Sequence, residues 1–182
     1  MDLYLLLKLV HVVAACLWLG GVTILALLVL VVDLRRNDAA TLGALSLLGL
    51  AGPQVFARVA PLTLATGAVL AWMGGWGLAP WLVLSVALAG FNQLYLTRVL
   101  FPAGGAVAAR RAGGDHAGAA ILARRQLRRL GADASIKLAI LALMAMKPGL
   151  ADPLLLVPVA ILLGGVALHL RAPSVATAAQ PA

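Results

Sequence analysis

His11 lies inside an apolar stretch that begins at Leu3, three residues after Lys8, and an imidazole at that depth needs a partner. At a helical rise of 1.5 Å per residue it falls about 12 Å below the start of the stretch, too far for the ring to reach headgroups. Lys8, on a longer stem, can snorkel outward. At helical spacing Tyr4, Lys8, His11, Ala15 and Trp18 share one stripe. Gly20 and Gly21 follow and allow a second helix to approach closely. A neutral imidazole keeps one nitrogen for a metal, either haem iron or copper, while the other donates to a neighbour. The alternative is structural: His11 hydrogen-bonds Asn92 or Gln93 in a third helix, or Thr63 or Thr66 in a second. Residue chemistry alone leaves both open.

The elements that must position this stripe are membrane helices. Hydrophobic residues make up 63% of 182 and charged residues 11%, and the mean hydropathy is +1.05. A soluble domain of this length has too little interior to bury so much apolar surface. A span needs about 20 mainly apolar residues, and the sequence predicts an all-α, polytopic membrane bundle, a four-helix core plus a fifth C-terminal helix. The spans are approximately 3–32, 55–74, 81–101, 130–147 and 154–170, within one membrane domain of residues 1–171; residues 172–182, small residues and Pro, read as a disordered tail. The fourth is the weakest by length, since its own apolar stretch covers only 136–146. It reaches membrane length only by starting near Leu130 and carrying Asp133 and Lys137, an i,i+4 pair expected at the interface. An interfacial helix is expected around 42–50, ended by Pro53 before the second span. The stretch 117–130 runs into the fourth span as one helix. Trp72, Trp76 and Trp81 read as an aromatic belt.

The formal net charge of +8 reports orientation. Arg35, Arg36, Arg58, Arg98, Arg110, Arg111, Arg124, Arg125, Arg128, Arg129 and Arg171 fall in alternate connections or at the matching helix ends, so the positive-inside rule puts the N-terminus outside and the C-terminus in the cytoplasm. The basic segment 110–129 suits anionic lipid headgroups and, lacking interleaved aromatics, does not suggest nucleic acid. A single cysteine, Cys16, excludes an intrachain disulfide and a thiolate cluster. Val13 to Cys16 resembles a lipoprotein cleavage box, but Lys8 and His11 interrupt the preceding apolar region, so the first helix is expected to be retained. There is no glutamate and no carboxylate pair within a span, which argues against a carboxylate relay. No nucleophile motif or phosphate loop is present.

Tyr4 to His11, then Trp18 and Gly20, resemble the first helix of a superfamily of small bacterial membrane proteins. It includes the HemJ-type protoporphyrinogen oxidases, the membrane domain of copper-resistance protein D, and uncharacterised integral membrane proteins of the same architecture. The likeness extends to Arg58, Pro61 and Gly67 and to the Lys147-Pro148 pair that closes the fourth span. The resemblance implies a four-helix membrane bundle plus an added helix, in a bacterial inner membrane. In the HemJ type the histidine matching His11 is essential and associated with haem b, and the enzyme removes electrons from protoporphyrinogen. HemJ-type enzymes also carry a lysine early in span three. Here Trp81 to Gly90 contains none, and Asn92 stands approximately where a histidine is expected. The uncharacterised members fit better.

Three functions follow as expectations. A haem b-associated redox protein uses His11 as axial ligand, with Lys8 or Arg58 pairing with propionates of the haem or porphyrin. A copper-handling protein adds soft donors from Met73, Met144, Met146 or Cys16. A cofactor-free accessory subunit uses the polar stripe for helix packing, as a homo-oligomer or within a larger membrane complex.

Overall fold

The computed structural model describes residues 2–34 and 38–171. Arg35, Arg36 and the tail 172–182 lie outside the described residues, as do the side chains of His169 and Arg171. The described chain forms five helices without a strand: α1 (residues 3–34), α2 (38–73), α3 (80–112), α4 (His116–Met146) and α5 (Leu156–Arg171), the last entered through a short 3₁₀ turn at Pro153–Leu155. Among the described residues three stretches are long and apolar enough to cross a membrane: Leu3–Val29, Ala39–Met73 and Pro80–Ala112.

Asp2 caps α1, its carboxylate accepting from the Tyr4 amide at 3.0 Å. Asp115 does the same for α4 through the Gly118 amide at 2.8 Å. Lys147 ends α4 in the left-handed region at φ 50°, and Pro148 follows, which cannot continue a helix. α4 is the hub. It packs most extensively on α3, then on α5, and also on α1 and the first half of α2. The first half of α1 lies along the second half of α2, while Asp38–Ala51 lies along Phe101–Ala112.

One expectation about α2 is corrected: Pro53 does not break the helix before the second span, and the helix continues through it, as α3 continues past Pro102 beyond the predicted span 81–101. A proline removes an amide donor and clashes with the carbonyl four residues back. Here the backbone widens to π-helical turns instead, Gly52–Phe56 around Pro53 and Leu96–Leu100 just before Pro102; a third, Cys16–Gly20, lies in α1. α3 therefore runs for 33 residues, about 50 Å, or roughly 20 Å more than a hydrocarbon core requires. Its far end carries Arg110 and Arg111, beside the start of α4 with Arg124 and Arg125. The opposite end carries Trp76, Trp81 and Lys147, whose ammonium sits 5.2 Å and 5.4 Å from the two indole centroids. The bundle thus has an arginine end and a tryptophan end.

Long helices crossing at close quarters need small residues. At the α2–α3 crossing, a Cβ on Gly49 would meet the Gly104 carbonyl carbon at 3.2 Å, and one on Gly104 would meet the Gly49 Cα at 3.2 Å. Backbone stands on both sides, so nothing can swing away. Gly49→Val is expected to cost about 1–3 kcal/mol through forced separation of the two helices. Gly90→Ala, whose new Cβ meets nothing within 4 Å, should stay within about 1 kcal/mol of the parent. Unfolding in detergent followed by circular dichroism checks the contrast.

Candidate functional site

His11 and Trp18 sit two turns apart on α1 and both face α2. A Cβ on Gly67 would lie 2.9 Å from His11 Cε1, so the imidazole rests on a glycine that makes room for it. Thr63 and Thr66, each buried, complete the seat. His11 Nδ1 lies 3.0 Å from the Thr63 carbonyl and 3.1 Å from Thr66 Oγ1. The carbonyl only accepts, and the Thr66 hydroxyl donates to the Leu62 carbonyl at 2.8 Å, so Nδ1 carries the proton. Nε2 is left with its lone pair and has no hydrogen-bond partner among the described residues. Of the structural partners considered from the sequence, the pair in the second helix is the one that His11 meets.

Lys8 is exposed one turn from His11, towards the tryptophan end. Arg58 is exposed five residues from Thr63, towards the arginine end and about 140° round α2 at 3.6 residues per turn. The two cations are therefore not brought to the same side of His11. The sulfur donors are dispersed too: Cys16 is exposed, Met73 is exposed near the end of α2, and Met144 packs against the cluster of Trp18, Ala60, Ala89, Ile136 and Ile140. Among the described residues no three of His, Cys, Asp and Glu gather where they could hold a metal.

A second polar site is formed by Asp133 and Lys137, the pair expected in the first turns of the fourth span, and it is buried within the bundle. The two side chains are each 1% exposed, with Lys137 Nζ donating to Asp133 Oδ2 at 2.6 Å. Asn92, fully buried on α3, donates through Nδ2 to Asp133 Oδ1 at 2.8 Å. Pairing with a partner helix allows the burial: both carboxylate oxygens are satisfied from two directions. Trp18 is also buried, and its Nε1 lacks a hydrogen-bond partner, as does Asn92 Oδ1. Towards the arginine end the polar groups continue. The Tyr95 hydroxyl donates to the Arg129 carbonyl at 3.4 Å, and Gln126 Nε2 donates to the Leu100 carbonyl at 2.8 Å. Gln93 Nε2 reaches the Ala57 carbonyl at 3.4 Å, the acceptor that Pro61, four residues on, leaves without an amide donor.

Sequence reasoning found His11 but used Asn92 as a candidate partner for it and as a stand-in for a histidine, not as a partner of Asp133. Its available signal was the short fourth span, which cannot reach 30 Å without taking Asp133 and Lys137 inside. A scan against protein-family models, a search of curated proteins and a search of solved structures each returned no match.

Asp133→Ala is expected to lower stability by about 3–5 kcal/mol, because it strands a buried ammonium. Asp133→Leu combined with Lys137→Met should recover most of that loss. A double-mutant cycle on unfolding in detergent measures it.

Proposed function

We propose that the chain is a multi-pass protein of the bacterial inner membrane, a four-helix core of α1 to α4 with α5 added, that holds haem b through Nε2 of His11. The N-terminus and the tryptophan end face outward, and the arginine end and C-terminus face the cytoplasm, in line with the positive-inside rule. Aromatics at one end and arginines at the other support a transverse position in the bilayer.

The observation that carries the haem assignment is the hydrogen bond from Nδ1 to the Thr63 carbonyl. A backbone acceptor on the far nitrogen fixes the tautomer, aims the ring and raises the basicity of Nε2, which is how a ligating histidine is supported. The fit rests on that donor and on the glycine seat at Gly67. Lys8, exposed one turn away, is the cation placed to pair with a propionate; Arg58, on another side of α2, is not. Bound haem would supply one-electron redox chemistry. His11 orients it, Thr63 holds the imidazole proton, and Gly67 sets how far the ring can settle. Copper has less support, since among the described residues no sulfur donor accompanies His11.

The test is a visible spectrum, oxidised and dithionite-reduced, of protein purified from cells with ample haem. Wild type should show a b-type band that is lost in His11→Ala. In Gly67→Val, whose side chain occupies the ring's seat, the band should be weakened or shifted. A colourless wild type overturns the assignment and leaves the bonds to Thr63 and Thr66 as packing contacts of a cofactor-free subunit.

A further inference from the structure

The Asp133–Lys137–Asn92 cluster has features that a purely structural ion pair does not need. A static pair is best served by saturating every donor and acceptor around it, because each buried orphan costs about 1–3 kcal/mol. Here the Asn92 carboxamide satisfies Asp133 with its nitrogen and leaves Oδ1 unused, although the residue is fully buried. Trp18 is 2% exposed, and its Nε1 is likewise unused. Ala89 and Ile136, which share its buried cluster, lie one turn from Asn92 and Asp133 respectively. A spare acceptor thus sits on the residue that holds the carboxylate, and a spare donor lies in the adjoining apolar cluster.

The surroundings are also one-sided. From Lys137 towards the tryptophan end α4 presents Ile140 and Leu143 to the core, both buried and apolar. Towards the arginine end come Tyr95 and Arg129, one turn from Asn92 and Asp133, joined by the hydroxyl-to-carbonyl bond. Gln126 follows one turn further on. The charged or titratable groups facing Asp133 are Lys137 and Arg129 on α4 itself and Tyr95 on α3. α1 contributes the neutral Trp18, Arg58 on α2 stands at this level but is exposed, and the described side chains of α5 carry no charge at this level.

We propose that Asp133 is a proton-exchange site inside the bundle, reached from the arginine end past Tyr95 and Arg129. A proton from water on that side adds to Asp133 Oδ2, and the Nζ–H···Oδ2 hydrogen bond breaks. The cluster passes from net neutral, carboxylate with ammonium, to net +1, carboxylic acid with ammonium. The unused Oδ1 of Asn92 then accepts from the freed Lys137 ammonium. Release of the proton to the same side restores the ion pair, so no electron or co-reactant is required. This site stands independently of whether His11 holds a cofactor.

Infrared titration of the full chain in lipid bilayers tests it, with natural-abundance and isotopically labelled aspartate. All 6 acidic side chains of the sequence are aspartates, so the label reaches every candidate. A protonated-carboxyl stretch should grow as pH falls, shift with the label, exchange slowly with deuterated water, and be lost in Asp133→Asn. In sealed proteoliposomes it should follow the pH on the arginine-end side, with slower onset in Tyr95→Phe. Absence of a slowly exchanging, label-sensitive band from wild type over the pH range in which it stays folded overturns the proposal. So does a band that persists unchanged in Asp133→Asn. If Asp133→Asn does not fold, the Asp133→Leu, Lys137→Met double variant takes its place, and a band that persists in it overturns the proposal.

Discussion

An ammonium and a carboxylate held away from water are costly unless each finds partners, and the packing of α4 follows from that requirement. Lys137 and Asp133 satisfy each other one turn apart, yet the second carboxylate oxygen needs a donor from elsewhere. Asn92 supplies it from α3, so the α3–α4 register is fixed by a hydrogen bond as well as by apolar contact. With its charged turn covered in this way, α4 takes the central place and buries Leu130, Ile136, Ala139, Ile140 and Leu143. Few sites in an apolar bundle specify neighbours so narrowly, because apolar side chains alone tolerate sliding.

The remaining contacts adapt to that hub. α1 lies against α2 where glycine and threonine leave room for His11, and one turn beyond Ala14 its Trp18 reaches the cluster beside Asn92. α2 and α3 pass each other at Gly49 and Gly104 with backbone against backbone. Their prolines stay inside continuous helices because π-helical turns absorb the missing donors, and freed carbonyls are taken up by side chains, as Gln93 does for Ala57. Polar chemistry is divided between two places. The imidazole seam at α1–α2 presents a lone pair, and the α3–α4 core holds a charge pair with spare hydrogen-bonding capacity.

Much of this was legible in the sequence because it rests on local periodicity. The stripe holding His11 and Trp18 does face a neighbouring helix, 117–130 does run into the fourth apolar segment, and Lys147-Pro148 does end it. The partnership of His11 with Thr63 and Thr66 was open among two helices, since a single chain position cannot reveal which neighbour arrives. Burial of Asp133 and Lys137 was not legible, because an i,i+4 pair reads the same at an interface as in a core. What decides between them is an asparagine 41 positions away. The continuity past Pro53 and Pro102 was hidden for a related reason: the proline rule concerns local hydrogen bonds, whereas widened turns held by tertiary packing override it. The Trp76 and Trp81 pair reads as a belt, and the sequence did not disclose that Lys147 would sit against both rings.

The central claim of the proposed topology is that α4 crosses the bilayer with its charged turn inside, although among the described residues only three helices meet the length and hydropathy of a span unaided. The most direct measurement is labelling by a membrane-impermeant thiol reagent in a Cys16→Ala background, with single cysteines introduced as Ala117→Cys, Leu138→Cys and Ala151→Cys. Labelling of position 151 only from outside the cell, of position 117 only from the cytoplasmic side, and of position 138 from neither is the predicted result. Positions 117 and 151 labelled from the same side, or position 138 labelled freely, would contradict the account.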